Sequence, residues 1–543
     1  ATISVRPAMP ARTQTLMSRM SGDSETIASL RKLYDAHAVN TAYLSYSPLV
    51  LTNGLTEYLK NYPHLCSEQL VSQAMASLVK NTPGAGKLKD TKVPEVIALL
   101  RSRTNSRGVI GMWYATDHDH PFLSNYAAQY LIEAKDRGAN IPEDYLKILN
   151  RYLRENADDT HSRSLEGLRQ RAFSAYLLTR QGEITTNALA QIQQTLQSAL
   201  GDTWHSDPTA IYLAATYKML KMDREADMLL KSAWSQLGKP ASEVWWSRQY
   251  YDPLVVSAQA FYLISKHFPE KADLIPPQAL ENMVMMLRQN RYTTTSAAMS
   301  ILALDHYGAR VKRTNVAGEA LSIDALVSDA KEEVKRISKF NQSVAFGDFP
   351  LNTEKLILKN SGTDTAWYAI TQTGFDKTMP ALATKNGLEV DKMLTDDAGR
   401  PVRSVRLGQT VNVVLRIRAN TKEDIDNVAM VDLIPGGFEI VFQKTNTHNT
   451  DQGNEESDEA YDRFVSPIAV APSDWRIDFT DAREDRAIIY GTATRSLQTF
   501  VYQIKPTNVG TYTIPPAFAE AMYDKEIQAM SVPTGVITVT PPE

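Results

Sequence analysis

The segment Asn125–Ile132 (NYAAQYLI) is followed by four similar segments further along the chain, which form an internal repeat. Neighbouring copies start roughly 40 to 46 residues apart, which is the length of a two-helix unit, and they are Arg171–Leu178, Ala210–Tyr217, Ser257–Ile264 and Ser296–Ala303. Small alanines one turn from tyrosine or leucine are typical of an inner helix that packs closely on both sides. More polar stretches between the copies, such as Ala188–Leu196, suit outer helices. The sequence from about Tyr43 to Tyr307 therefore predicts five or six helical hairpins, stacked as an open solenoid or a closed α/α toroid.

Beyond about Leu351 the sequence changes to a strand pattern. Runs of strand-forming residues end at Gly, Pro or Asn turns, as in Thr410–Arg418, Val428–Gly437 and Thr499–Ile504. Short strands at this spacing predict β-sandwiches, two of them in series. The acidic run Asp451–Glu459 is typical of a solvated loop.

Composition excludes several classes of function. The 543 residues carry a net charge of -4 and one cysteine, with a pI near 6.2. These values give no electrostatic basis for binding nucleic acid, and one cysteine can form neither an intramolecular disulfide nor a multi-cysteine metal site. No apolar run approaches the ~20 residues that span a bilayer. The start of the chain has no signal-peptide pattern, so we expect either a mature product or, as the favoured alternative, a fragment that lacks upstream domains.

The helical region opens with Tyr62-Pro-His-Leu-Cys-Ser-Glu-Gln, in which Cys66 and Gln69 stand at the predicted start of a helix. This spacing places both side chains on one face of the first turn. A thiolate favoured by the helix N-terminus can then attack the Gln69 amide, expel ammonia and close a thioester. An amine or hydroxyl would later take the acyl group once, provided that water is excluded. The alternative is that Cys66 is a small buried hydrophobe at a helix end.

The order of several motifs resembles that of bacterial alpha-2-macroglobulins. Tyr62–Gln69 resembles their thioester region, Trp113 followed by Phe122–Ala134 resembles the next landmark, and Thr293–Leu304 resembles the last helices of that domain. Three later segments resemble parts of the C-terminal domain of that family, namely Leu407–Leu415, Val431–Glu439 and Pro515–Tyr523. The resemblance covers nearly the whole chain in the right order.

This resemblance implies a multidomain α and β architecture. An α/α toroid thioester domain (43–312) would be inserted in a CUB-like β domain formed by residues 1–42 and 313–384. A C-terminal macroglobulin-like β-sandwich (385–543) would follow. The resemblance therefore favours the closed α/α toroid over the open solenoid for the helical region.

The resemblance also implies a function, that of a cell-envelope protease inhibitor rather than an enzyme. An endopeptidase cuts an upstream bait segment, the molecule rearranges, and the thioester of Cys66 and Gln69 captures the protease through a lysine. Glu68 belongs to the motif, while Tyr62 and Met522 shield the thioester from water. The partners implied are endopeptidases and the upstream macroglobulin domains of the same protein, with no cofactor, metal or nucleic acid. A periplasmic location is implied, and an inner-membrane lipid anchor on the full-length protein stays open.

Two residues depart from the family pattern and leave an alternative open. Leu65 stands where Gly is usual and Leu70 where Thr or Asn is usual, and both can crowd the thioester ring. One branch of the family lacks the thioester and would trap proteases sterically. A non-covalent steric trap or an envelope scaffold of the same architecture is therefore the second hypothesis.

Three further groups of residues have competing interpretations. Asp117–Pro121 is either a metal-ligand cluster or a polar loop before a helix. Trp113 and Tyr114 either line the thioester pocket or belong to the core, and Glu68 could be an exposed first-turn residue favoured by the helix dipole. An aromatic cluster could line the central groove of a toroidal carbohydrate-active enzyme, the third hypothesis, and comprises Trp245, Trp246, Tyr250 and Tyr251.

Overall fold

The computed structural model describes residues 7–28, 30–79, 93–234, 237, 250–309, 320–328, 333–341, 344–378, 382–443, 464–470 and 474–542. Trp245, Trp246 and the acidic run Asp451–Glu459 lie outside these residues. The chain forms two compact units. One comprises residues 13–31 and 35–374, and the other comprises the chain from Phe375 onward together with its N-terminal residues up to Arg12 and the short segment Lys32–Tyr34.

The helical part of the first unit alternates two kinds of helix. Helices buried over most of their surface are α2 (Ser67–Ser77), α4 (Pro121–Asp136), α6 (Leu165–Arg180), α8 (Pro208–Met219), α10 (Pro253–His267) and α12 (Thr294–Gly308). Helices with one buried face are α3 (Val93–Ser102), α5 (Glu143–Ala157), α7 (Thr186–Leu200), α9 (Asp223–Trp234) and α11 (Pro277–Arg288). The amphipathic helix α1 (Leu51–Lys60) precedes them.

The buried helices form a closed inner ring. Each packs against the next in the order α2, α4, α6, α8, α10 and α12, and α12 packs back against α2. The five repeated segments lie on α4, α6, α8, α10 and α12. Their fully buried alanines let the inner helices approach closely, for example Ala127, Ala172, Ala214, Ala258 and Ala298. The chain therefore adopts the closed toroid rather than the open solenoid.

A β-sandwich, here called the split sandwich, is built from strands on both sides of the helical segment. Its strands are β1 (Arg12–Arg19), β2 (Ser24–Ile27), β3 (Val39–Ser45), β4 (Leu321–Val327), β5 (Glu333–Arg336), β6 (Lys339–Asn341), β7 (Val344–Asp348), β8 (Thr353–Asn360) and β9 (Trp367–Gly374). The sheet orders are β1-β9-β3-β7-β6 and β2-β8-β4-β5, and a core around Leu44, Ile323 and Leu358 lies between them. The helical ring is thus an insertion between β3 and β4.

The second unit contains the terminal sandwich. Its strands are β10 (Thr384–Asn386), β11 (Leu388–Thr395), β12 (Ser404–Arg406), β13 (Val411–Ala419), β14 (Ile425–Leu433), β15 (Phe438–Ile440), β16 (Ile477–Arg483), β17 (Arg486–Ala493), β18 (Gln498–Pro506), β19 (Gly510–Thr513), β20 (Ala517–Ala521), β21 (Asp524–Met530) and β22 (Val536–Thr540). They form sheets ordered β10-β21-β20-β14-β17-β16, β11-β13-β18-β15 and β12-β22-β19. The predicted strands at 410–418, 428–437 and 499–504 are confirmed as β13, β14 and β18.

Two predicted domain boundaries fall inside strands. The boundary after residue 42 cuts β3, which continues to Ser45, and the boundary after residue 384 cuts β10. Both boundaries come from the order of motifs in the resemblance, which locates a domain but does not give the last residue of a strand. The boundary after residue 312 lies outside the described residues. Within the part of the chain that the structure describes, no helix is long and apolar enough to cross a membrane.

Candidate thioester site

The predicted pair Cys66 and Gln69 meets in the first turn of α2. Pro63 biases the residue before it away from helical backbone, and α2 begins only at Ser67, with Cys66 as its extended N-cap residue. The Cys66 backbone N–H donates to the side-chain oxygen Oε1 of Gln69 across 3.1 Å, in a capping box. Both residues are fully buried. The Gln69 side-chain carbonyl is therefore held against the residue that carries the thiol.

The α3–α4 loop, residues 103–120, holds the start of α2 in place. The Ser67 N–H donates to the Met112 carbonyl across 2.8 Å, and the Ser67 hydroxyl donates to the Gly111 carbonyl across 2.7 Å. A Cβ atom on Gly111 would lie 1.9 Å from the backbone oxygen of Tyr114, so only glycine fits there. The loop thus fixes the residue that follows Cys66.

Arg103, the first residue of the same loop, reaches both neighbours of Cys66. Its Nη1 donates to the Leu65 carbonyl across 3.0 Å and to the Ser67 hydroxyl oxygen across 3.2 Å. The residue is only 9% exposed, and its own carbonyl accepts from the Gly111 N–H. A guanidinium with restricted access to water is therefore bonded to the residues on both sides of Cys66, the candidate nucleophile.

Glu68 is fully buried, which contradicts the interpretation of an exposed first-turn glutamate. Its carboxylate accepts hydrogen bonds from the hydroxyls of Ser72 (2.5 Å), Thr294 (2.8 Å) and Thr295 (2.8 Å). The last two stand at the start of α12, so the carboxylate joins the N-terminal turns of α2 and α12 at the point where the ring closes. An interpretation from the local sequence misses this link because the two threonine donors lie more than 220 residues away.

Tyr62, predicted to shield the thioester, is half-buried in a chain of aromatic rings. Its ring makes edge-to-face contacts with Tyr58 and His64, each at 5.5 Å between centroids. Tyr58 makes a further edge-to-face contact with Tyr292 at 5.0 Å. The Tyr292 hydroxyl is hydrogen-bonded to the Thr15 hydroxyl of β1, and burial raises the pKa of Tyr292 to about 12. The chain of rings thus runs from Tyr62 to the split sandwich.

Met522, the second predicted shield, belongs to the terminal sandwich. It is 3% exposed and lies in the turn between β20 and β21. Its backbone N–H donates to the carbonyl of Asn427, a residue with a left-handed backbone (φ 55°) next to an irregularity in β14. The local sandwich structure fixes the position of this methionine within its own unit.

Comparison with known proteins places this geometry in a family. Residues 387–526 match the model of the bacterial alpha-2-macroglobulin MG10 domain. An alpha-2-macroglobulin homolog from Yersinia pestis is 46% identical over 99% of this chain, and an alpha-2-macroglobulin from Pasteurella multocida is 32% identical over 99% of it. The chain is homologous to bacterial alpha-2-macroglobulins. It spans 27% and 28% of the length of these two relatives.

Solved alpha-2-macroglobulins share the fold. The native Escherichia coli protein, from domain MG7 to the C-terminus, superposes with a TM-score of 0.75 at 20% identity, covering 99% of this chain and 83% of that one. Salmonella alpha-2-macroglobulin reacted with methylamine superposes with a TM-score of 0.76 at 19% identity, covering 99% of this chain and 34% of that one. The helical ring and the two sandwiches therefore follow the alpha-2-macroglobulin architecture.

The Asp117–Pro121 segment of this alpha-2-macroglobulin homologue is a loop that ends in the first turn of α4. Pro121 is the first residue of that helix. Asp117 accepts from the Asn105 side chain, and Asp119 accepts from the Tyr152 hydroxyl, each across 3.0 Å. Among the described residues, no three His, Cys, Asp or Glu side chains are grouped so that they could hold a metal ion.

The aromatic candidates separate into core and surface. Tyr250 and Tyr251 are buried, and both pack on Phe122 with ring centroids 4.5 and 5.3 Å away. Both side chains are therefore part of the packed interior of the helical unit. Trp113 is half-buried, whereas Tyr114 is 37% exposed, so the interpretation of Tyr114 as core is wrong.

The buried acid at the C-terminal end of α4, Glu133, is held in an ion-pair network. Its carboxylate accepts from Tyr262 and is paired with Arg137, Arg180 and Lys266. Burial alone would raise the pKa of Glu133, but a hydrogen bond with His306 and these cations hold it well below its usual range. A carboxylate engaged in this way is a structural ion and does not resemble the acid of a glycosidase pair.

Proposed function

We propose that this chain is the thioester-bearing part of a cell-envelope protease inhibitor, in which Cys66 and Gln69 form a single-use acyl donor. The observation that carries the proposal is the hydrogen bond from the Cys66 N–H to the Gln69 side-chain oxygen inside a fully buried turn. Homology to bacterial alpha-2-macroglobulins supports the assignment. The thioester, CUB and periplasmic assignments all belong to this proposal.

The proposed chemistry of this turn is formation of a thioester between Cys66 and Gln69 and its later opening by an amine. The Cys66 sulfur attacks the Gln69 side-chain carbon, the carbon–nitrogen bond breaks, and ammonia leaves with the thiol proton. The Cys66 N–H stabilises the negative charge that develops on the Gln69 oxygen, as an oxyanion-hole donor does. A lysine amine of a trapped endopeptidase later attacks the same carbon, which forms an amide and returns the free thiol. The fragment acts once per molecule and is no enzyme in the catalytic sense.

Other parts of the parent protein would supply the trigger. Upstream macroglobulin domains and a bait segment are part of the proposal because the chain spans 27% of its Yersinia relative. Tyr62 and Met522 are proposed to exclude water from the thioester, since each presents apolar atoms that can cover a reactive carbonyl. A periplasmic location, with or without a lipid anchor on the parent, completes the proposed setting.

Intact mass measurement tests the proposal most directly. Freshly purified protein is expected to be lighter than its sequence by one ammonia, and methylamine should add to it while one titratable thiol appears. Salmonella alpha-2-macroglobulin was itself reacted with methylamine, so the same amine is a suitable probe. Cys66→Ser is the matched control and should have the unmodified mass, with no methylamine addition.

The opposite result would identify the alternative function. A wild-type mass equal to that of the sequence, with a thiol present before any amine is added, would contradict the thioester. The steric trap or envelope scaffold would then be the better description. Protease retention by the parent protein would in that case be the same with Cys66→Ala as with the wild type.

A further inference from the structure

We infer that Arg103 is a positioning residue for the thiol chemistry of Cys66, an inference that rests on the proposed thioester. Its guanidinium binds the residue before Cys66 and the residue after it, through the Leu65 carbonyl and the Ser67 hydroxyl. Held in this way, the guanidinium is the cation that favours the thiolate when the thioester closes and again when an amine opens it.

The position of Arg103 is set by structure that is independent of the thioester. Its backbone N–H donates to the Leu100 carbonyl at the end of α3, and its carbonyl accepts from Gly111. The neighbouring residue Thr104 forms a bridge with Ile110. The arginine backbone is therefore fixed at the base of a small hairpin, and its side chain extends from there to the N-terminus of α2.

The other charged and titratable groups around the first turn of α2 are Glu68, Tyr126 and His64. The side-chain carboxyl group of Glu68 on α2 is engaged by hydroxyls of α2 and α12. Tyr126 of α4 reaches the same region through the Ser72 hydroxyl, and burial raises its pKa far above the usual range. His64 is buried against Tyr62. A positive charge beside a helix N-terminus is the environment that lowers the pKa of a cysteine.

The chemical steps show where this charge acts. In ring closure, the Cys66 thiol loses its proton, the sulfur bonds to the Gln69 side-chain carbon, and the amide nitrogen leaves as ammonia after taking up a proton. In opening, an amine bonds to that carbon, the carbon–sulfur bond breaks, and the amine proton returns to sulfur. The sulfur carries negative charge before it attacks in ring closure and after it is released in ring opening. A nearby guanidinium therefore accelerates both steps.

The chain contains one cysteine, so its thiolate can be titrated without ambiguity. We would measure the ultraviolet thiolate absorbance against pH, after methylamine treatment, as the difference from Cys66→Ser. Arg103→Gln is expected to raise the pKa of the thiol by about one, which lowers the thiolate fraction about tenfold at a pH below that value. Methylamine addition to Arg103→Gln should slow about tenfold as well.

Three further variants separate charge from packing. Arg103→Lys keeps the charge without the planar donor group, so the pKa of the thiol should stay near the wild-type value. Ser67→Ala removes one of the two anchors of the guanidinium and should raise the pKa of the thiol by less than Arg103→Gln does. Arg171→Gln removes another buried arginine, one that donates to the Ala157 carbonyl, and should leave both the pKa and the methylamine rate unchanged. If Arg103→Gln does not fold, a raised thiol pKa in Arg103→Lys overturns the inference, and a wild-type value supports it.

The possible failures can be told apart. A wild-type chain that has not lost ammonia contradicts the proposed thioester, whatever the arginine does. A wild-type chain that has lost ammonia, together with an Arg103→Gln variant whose thiol pKa and methylamine rate equal those of the wild type, contradicts the inference about Arg103 alone. Equal effects of Arg103→Gln and Arg171→Gln would also overturn it, because they would indicate a general loss of packing.

Discussion

Replacing Glu68 by alanine should destabilise the helical ring far more than the same change at an exposed first-turn glutamate. Glu68 is the second residue of α2, and Glu166 is the second residue of α6. The first is fully buried, whereas the second is exposed. The pair therefore separates the contribution of a buried hydrogen-bond network from that of the helix dipole.

The magnitude follows from the three hydroxyls that Glu68 engages. A hydrogen bond to a charged group contributes about 1.5–3 kcal/mol, and a buried donor left without its acceptor costs about 1–3 kcal/mol. These effects are not additive within one network, so the sum over three hydrogen bonds is an upper limit. We therefore expect Glu68→Ala to lower the free energy of unfolding of the ring by about 4 kcal/mol. Glu68→Gln keeps one acceptor oxygen and should cost about half of that.

The assay is urea denaturation of the whole chain, followed by the far-ultraviolet circular dichroism of the helices. Glu166→Ala, the control, loses the interaction of an exposed carboxylate with the helix dipole, at about 0.3–1 kcal/mol, and a charge interaction with Arg169. Thr294→Val should reproduce part of the Glu68→Ala loss, since it removes one of the same hydrogen bonds. Equal midpoints for Glu68→Ala and Glu166→Ala would refute the reasoning, because burial of the carboxylate would then contribute nothing.

Three further changes have definite expected results. Tyr292→Phe removes the hydrogen bond to Thr15, which supports the aromatic chain by about 0.5–1.5 kcal/mol. Spontaneous thiol release, timed in protein without amine, should therefore speed up about two- to tenfold. An unchanged rate would count against a link between this hydrogen bond and shielding of the thioester. Lys392→Met leaves Asp432 buried without the ammonium that lies 2.5 Å from it, and calorimetry should show the terminal sandwich weakened by about 3–5 kcal/mol. Burial and neighbouring cations lower the pKa of His267 to about 3. Below pH ~6.5 this histidine is therefore protonated in the unfolded chain but stays neutral in the folded chain until the pH approaches 3. Thermal stability should therefore fall as the pH drops from ~6.5 towards 3, and His267→Gln should flatten this part of the profile; parallel profiles would disprove the assignment.

The local features of the candidate site were open to prediction from the sequence. Cys66 and Gln69 are three residues apart, and a helical turn brings such residues together whatever the rest of the chain does. The five repeated segments likewise mark the inner helices, because an alanine-rich face is needed wherever a helix packs on both sides. The predicted boundaries after residues 42 and 384 fall inside β3 and β10, because the order of motifs locates a domain without giving the last residue of a strand.

The features that surround the thiol depend on the tertiary structure. Arg103 reaches the neighbours of Cys66 across 36 and 38 positions of sequence, and the two threonine hydroxyls that donate to Glu68 come from 226 and 227 positions away. One signal was present, namely the three consecutive threonines at the start of α12, but nothing in the local sequence says which carboxylate they contact. Periodicity and spacing fix which residues share one turn or one helix face. Which turns meet when the last helix of the ring packs against the first depends on long-range packing, and that packing decides the electrostatic surroundings of the cysteine.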